Sequence, residues 1–153
     1  MKPIHHRSRA RSWTLQLLYA WDTTGEGDPL DHALRELERR SMSERYRPYV
    51  QTLLRVVGEH VGEIDATLSR NMPNWRLDRV AAVDRNILRI GVGELLFVDE
   101  VPGKVAIHEA IRLAEKYGSG ESPGFINGVL DAIYREIEGK ASAAEAQPLD
   151  APG

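Results

Sequence analysis

The chain has 153 residues, enough for one domain or two small subdomains, and it contains no cysteine, which excludes disulfides, thiolate metal sites and cysteine nucleophiles. No apolar run reaches the length of a membrane span and the N-terminus lacks the apolar core of a signal peptide, so a soluble, cytoplasmic protein is expected. The net charge of −3 is unevenly spread: residues 1–21 hold 4 of the 20 Lys and Arg and none of the 23 Asp and Glu, so any polyanion must be held by a local patch and not by the overall field.

The first predicted element is an amphipathic helix from Arg7 to Trp21. Ala10, Thr14, Leu17 and Trp21 recur at three- and four-residue spacing, with Leu18 on the flank. Lys2, Arg7, Arg9 and Arg11 lie in and before its first turn. The helix dipole disfavours each cation there by roughly 0.3–1 kcal/mol, so the arginines read as ligand-facing groups for a polyanion. On the helical wheel Ser8, Ser12, Gln16 and Tyr19 fall opposite the apolar stripe, with Arg7 and Arg11 on one shoulder and Arg9 on the other. Cations beside an exposed Tyr19 suit single-stranded nucleic acid, whose phosphates pair with Arg and whose bases stack on aromatic rings. The competing reading is an unstructured basic N-terminus with a partly buried tyrosine.

After a polar loop, Asp28 and Pro29 mark a helix start as cap and first residue. Leu30, Ala33, Leu34 and Leu37 continue it to Arg39 and Arg40, cations that suit a C-terminus. Pro48 belongs in a first turn, so the next helix starts near Arg47. Leu53, Val57, Val61, Ile64 and Leu68 carry it to about Arg70, and Gly58 and Gly62 mark a bend or a close crossing. Met72-Pro73-Asn74-Trp75 breaks the pattern and divides residues 1–74 from a second unit, 75–139.

That unit opens with a helix from Arg79 to Phe97. Its core stripe is Val80, Val83, Ile87, Ile90 and Leu95, with Arg85 and Arg89 facing away. Glu94 projects onto the stripe: such a carboxylate is either an acid with a raised pKa or, more commonly, the partner of a donor inside a helical core. Ala106, Ala110, Leu113, Ala114 and Tyr117 line the following helix, which Gly118 ends. Ser122 and Pro123 open the last helix, with Ile126, Val129, Leu130, Ile133 and Ile137 as its stripe. Phe125, Asn127, Gly128 and Asp131 fall off that stripe, and an exposed Phe beside a mid-helix Gly points to close approach by another surface. The tail, 140–153, is low in apolar bulk and is predicted to be disordered.

The motifs support no enzyme, without excluding one. His108-Glu109-x-x-Arg112 lacks the second histidine of a zinc helix, Gly91-Val92-Gly93 follows no strand, and Gly118-Ser119-Gly120 lacks the Lys-Ser/Thr of a phosphate loop. No metal site, cofactor or catalytic constellation is expected. With no strand pattern, the fold class is all-α: two packed helical bundles of about six to seven helices.

Several runs together resemble the bacterial transcription antitermination family NusB. They are Leu88-Arg89-Ile90 with Glu94-Leu95, Val101-Pro102, Val105-Ala106-Ile107, Glu109-Ala110, Leu113-Ala114, Phe125-Ile126-Asn127-Gly128-Val129-Leu130-Asp131, and Arg9-Ala10-Arg11 with Gln16-x-Leu18-Tyr19. The resemblance covers residues 3–138. It implies two helical bundles without catalytic activity, binding the boxA element of single-stranded RNA together with NusE, a small-subunit ribosomal protein. Through them it implies a link to RNA polymerase and other Nus factors, chiefly on ribosomal RNA operons. Carried over by position, it puts RNA contacts on Arg7, Arg9, Arg11, Tyr19 and Phe125, and the NusE surface around Trp75, Asp84 and Glu121. It makes Glu94 and Glu109 structural. The chain departs from the family at His108, where Asn is usual, at Gly124, where Lys is common, and at His5 and His6, which leave that part of the arm largely neutral at pH 7. Two other readings remain: a NusB-like domain of the kind found in ribosomal RNA methyltransferases, although no cofactor-binding α/β segment is present, and a purely structural helical protein.

Overall fold

The computed structural model describes residues 3–24 and 27–146. Seven α-helices follow in order: α1 Pro3–Thr24, α2 Pro29–Arg39, α3 Arg47–Glu59, α4 Val61–Arg70, α5 Ala82–Phe97, α6 Gly103–Tyr117 and α7 Ser122–Ala146. A 3-10 turn, Leu77–Arg79, precedes α5. No strand occurs among the described residues, and no helix among them is long and apolar enough to cross a membrane.

Helix α5 is the axis. Asn86 through Glu94 are buried without interruption, because α1, α3, α4, α6 and α7 all pack around it. One hydrophobic core therefore runs through both halves, from Ala10, Leu17 and Leu53 to Ile126, Leu130 and Ile133. Two arginines expected to face away from the α5 stripe do not. Arg89 is buried, and Arg85 is largely covered. A helix packed on every side has no outward face, so its polar residues must find partners inside.

Local chemistry sets the other boundaries. Asp28 caps α2, its carboxylate accepting the Asp31 N–H at 3.0 Å. The helix expected from Arg47 to Arg70 is two helices, broken at His60, whose ring stacks on Phe97 with 3.9 Å between centroids. Gly58 just before the break is a crossing point: a Cβ there would lie 2.6 Å from the Leu30 Cβ on α2. Gly62 faces open space and makes no such contact.

Helix α7 starts at Ser122, but that hydroxyl does not cap its own helix. It donates to the Asp84 carboxylate at 3.0 Å and accepts the Ser119 N–H at 2.9 Å. At the other end α7 continues to Ala146, further than the boundary drawn from apolar spacing. Ala141 and Ala143 are exposed and contribute no core stripe, but alanine is the best helix former and propagates the ladder. Residues 147–153 of the expected disordered tail lie outside the described residues.

Candidate nucleic-acid interface

Helix α1 carries the arginines and is gripped on several sides, by α2, α3, α5 and α6. Its buried arc takes in Ala10, Thr14, Leu17 and Leu18, as the spacing predicts, and also Leu15 and Arg11. Arg11 is 2% exposed. Its Nε donates to the Glu94 carboxylate on α5 at 2.8 and 3.0 Å, and its Nη1 donates to Glu109 on α6 at 3.1 Å. The Tyr49 hydroxyl from α3 donates to Glu94 Oε2, the oxygen that also takes the shorter Arg11 bond, and the Ser8 hydroxyl donates to Glu109 at 2.6 Å. The expectation that Arg11 contacts RNA is therefore corrected: its guanidinium is used up inside the fold, joining α1 to α5 and α6. Burial pushes the Glu94 carboxyl above its ordinary range, against the pull of Arg11 and Tyr49. Burial and the neighbouring carboxylate likewise push the Tyr49 hydroxyl up, so it remains a proton donor.

A second network fixes the other end of α1. The Asp22 carboxylate accepts from Arg85 at 2.8 Å, Asn86 at 2.9 Å and Arg89 at 3.2 Å, all on α5. Arg89 also forks onto Asp65 of α4 at 2.9 and 3.0 Å. Burial raises the Asp22 carboxyl, but the hydrogen bonds from Arg85 and Asn86 and the two guanidinium charges outweigh it, leaving it below the usual carboxylate range. With both ends held, the outward face of α1 is presented on a rigid rod.

That face carries Arg9, Ser12, Gln16 and Tyr19. Arg9 is exposed and has no ion pair among the described residues. Tyr19 is 43% exposed. At 1.5 Å of rise per residue the two lie about 15 Å apart along one helix. Arg7 is intermediate: its guanidinium lies 4.8 Å from the Tyr49 ring centroid and 3.6 Å from Glu100. A groove of about 500 Å3 runs beside this face, between α1 and α6. Arg112 and Lys116 reach it from α6, and the alternation of apolar positions along that helix had not marked either as functional.

Phe125 is not a freely exposed ring. It is half-buried on the core and meets Trp75 at 5.6 Å between centroids, the planes tilted by 56°. Trp75 is the exposed one, at 60%. Together with Asp84 and Glu121 they line one cavity of about 310 Å3, so Phe125 and the three residues expected to face a protein partner form a single patch. Residues 117 and 119 place this patch next to the α1–α6 groove along the chain. No cluster of His, Cys, Asp or Glu among the described residues could hold a metal ion.

The architecture is that of the helical NusB structures. NusB from T. maritima superposes with a TM-score of 0.77 at 32% identity, covering 85% of this chain and 91% of that one. A solved complex of the antitermination factors NusB and NusE with dsRNA gives 0.75 at 30% identity, covering 86% and 98%. The NusB family model matches residues 8–135. The transcription antitermination protein NusB of a Nocardioides species is 45% identical over 131 residues, 84% of this chain and 93% of that protein, and that of an Anaeromyxobacter species is 46% identical over 134 residues. The chain belongs to the NusB family of transcription antitermination proteins.

Proposed function

We propose that this chain binds boxA-type single-stranded RNA together with NusE and so supports processive transcription of ribosomal RNA operons. The observation that carries this reading is the outward face of α1, where an exposed Arg9 and an exposed Tyr19 share one rod whose inward face is pinned at both ends. Arg9 meets phosphates and Tyr19 offers a stacking platform, while Arg7 adds a second cation near the helix start. The solved complex of NusB and NusE with dsRNA supports NusE and RNA as the classes of partner, and the single-stranded boxA preference is the part that this reading adds. The Trp75, Asp84, Glu121 and Phe125 patch is the surface for NusE, with Phe125 at the edge where RNA leaves α1. This reading assigns binding and no catalysis to the chain. The test is an anisotropy titration of labelled boxA-type RNA, with a scrambled RNA as control, with and without NusE. Sequence-selective binding that tightens with NusE is expected; equal binding of the scrambled RNA, unchanged by NusE, would overturn the reading.

A further inference from the structure

Beyond α1 itself, the α1–α6 groove has the features of a nucleotide seat. Three cations surround it: Arg9 from α1, and Arg112 and Lys116 from α6. Arg112 and Lys116 are one turn apart, on the same face of their helix. Each is held from below with its charge still presented outward. Arg112 leans on Glu109 at 3.4 Å with 57% of its side chain exposed, and the Lys116 ammonium lies 5.3 Å from the Tyr117 ring centroid. Glu109, the one acid lining the groove, is buried, its Oε1 accepting from Ser8 and Arg11 and its Oε2 from Arg112, so two arginines share its single charge. The local charge facing the groove is therefore positive, in a protein whose net charge is −3. Trp13 and Tyr117 add ring surface and Gln16 adds an amide, which supply stacking and an edge contact for a base.

We infer that the α1–α6 groove seats a nucleotide of bound single-stranded RNA, its phosphate held among Arg9, Arg112 and Lys116. The strand then continues along α6 toward Phe125. This rests on the RNA-binding reading of α1 and extends it to a second helix. The helix carries two functional residues, Arg112 and Lys116, that α1 alone does not supply.

The test compares three variants by anisotropy titration of boxA-type RNA across a salt series: R112Q/K116Q in the groove, R135Q/K140Q on the exposed side of α7 as a control of equal charge change, and R9Q. Loss of two phosphate contacts on a single strand makes the slope of log K against log salt shallower by about 1.4. That shift is expected for R112Q/K116Q and not for R135Q/K140Q. If R9Q weakens binding while R112Q/K116Q does not, the groove is not a seat and the α1 reading stands. If both double variants change the slope equally, only overall charge matters and the groove assignment is overturned. If the unaltered chain binds boxA-type RNA no better than a scrambled strand, the α1 reading fails and the groove assignment fails with it.

Discussion

Replacing Arg11 with alanine leaves Glu94 buried without its cation and leaves Glu109 with only the more distant Arg112. Breaking a buried pair from one side costs about 3–5 kcal/mol, a fall in Tm of roughly 6–20 °C for a chain of this length. Thermal melting followed by circular dichroism checks it, and an unchanged Tm would show that Arg11 is not a structural clamp. The position of Arg11 was legible in part. On a 100° wheel it falls between Leu18 and Leu15, about 20° from the first and 40° from the second, so an apolar flank already surrounded it. What the wheel lacks is the identity of the partners, since Glu94 and Glu109 are 83 and 98 residues away. The anti-dipole placement pointed outward for all three arginines, but a carboxylate from another helix removes that penalty for Arg11 and not for Arg9. Asp22 gives a pH signature. Its carboxyl is depressed in the folded chain, so its contribution is complete above the usual value of 3.8 and is lost as pH falls through the folded value. The Tm difference between the unaltered chain and D22N should be constant from neutral pH down to about 5 and should narrow below 3.8. A gap that widens in acid would contradict the assignment.

The α2–α3 crossing depends on Gly58. A Cβ would meet Leu30 at 2.6 Å, and overpacking of that kind costs about 1–3 kcal/mol. G58A should therefore lower the urea midpoint without changing the slope of the transition, while G62A, in open space, should leave the midpoint unchanged or raise it slightly. The glycine pair was visible in the sequence as a bend or a crossing. Which glycine makes the contact was not, because the crossing partner comes from α2. The C-terminal end of α7 shows the opposite case. Its alanines carry no apolar stripe, so periodicity stops at Ile137, while backbone propensity carries the helix to Ala146. Ala141 to Ala143 are exposed, and truncation after Lys140 should shift Tm by no more than about 2 °C. A larger loss would show that the end of α7 packs on the core.

The molecule as a whole is acidic, and the cationic face of α1 is built by turning a helix so that alternate arginines serve opposite ends. Arg11 ties α1 to the core through α5 and α6, and the Asp22 network repeats the tie at the far end. Arg9 is left on the outward face of a helix tied down on its inward side. The all-helical class was legible because every apolar stripe has helical spacing. The placing of Arg112 and Lys116 beside Arg9 in one groove was not, because the two look like ordinary solvated positions until α1 is laid beside them. The most direct test of this division is R9A, measured for boxA-type RNA affinity across salt and for thermal melting in the same preparation. The predicted result is weaker RNA binding, with a salt slope shallower by about 0.7, and an unchanged Tm. RNA binding equal to that of the unaltered chain would contradict the account, because the exposed arginine of α1 would then have no part in holding RNA.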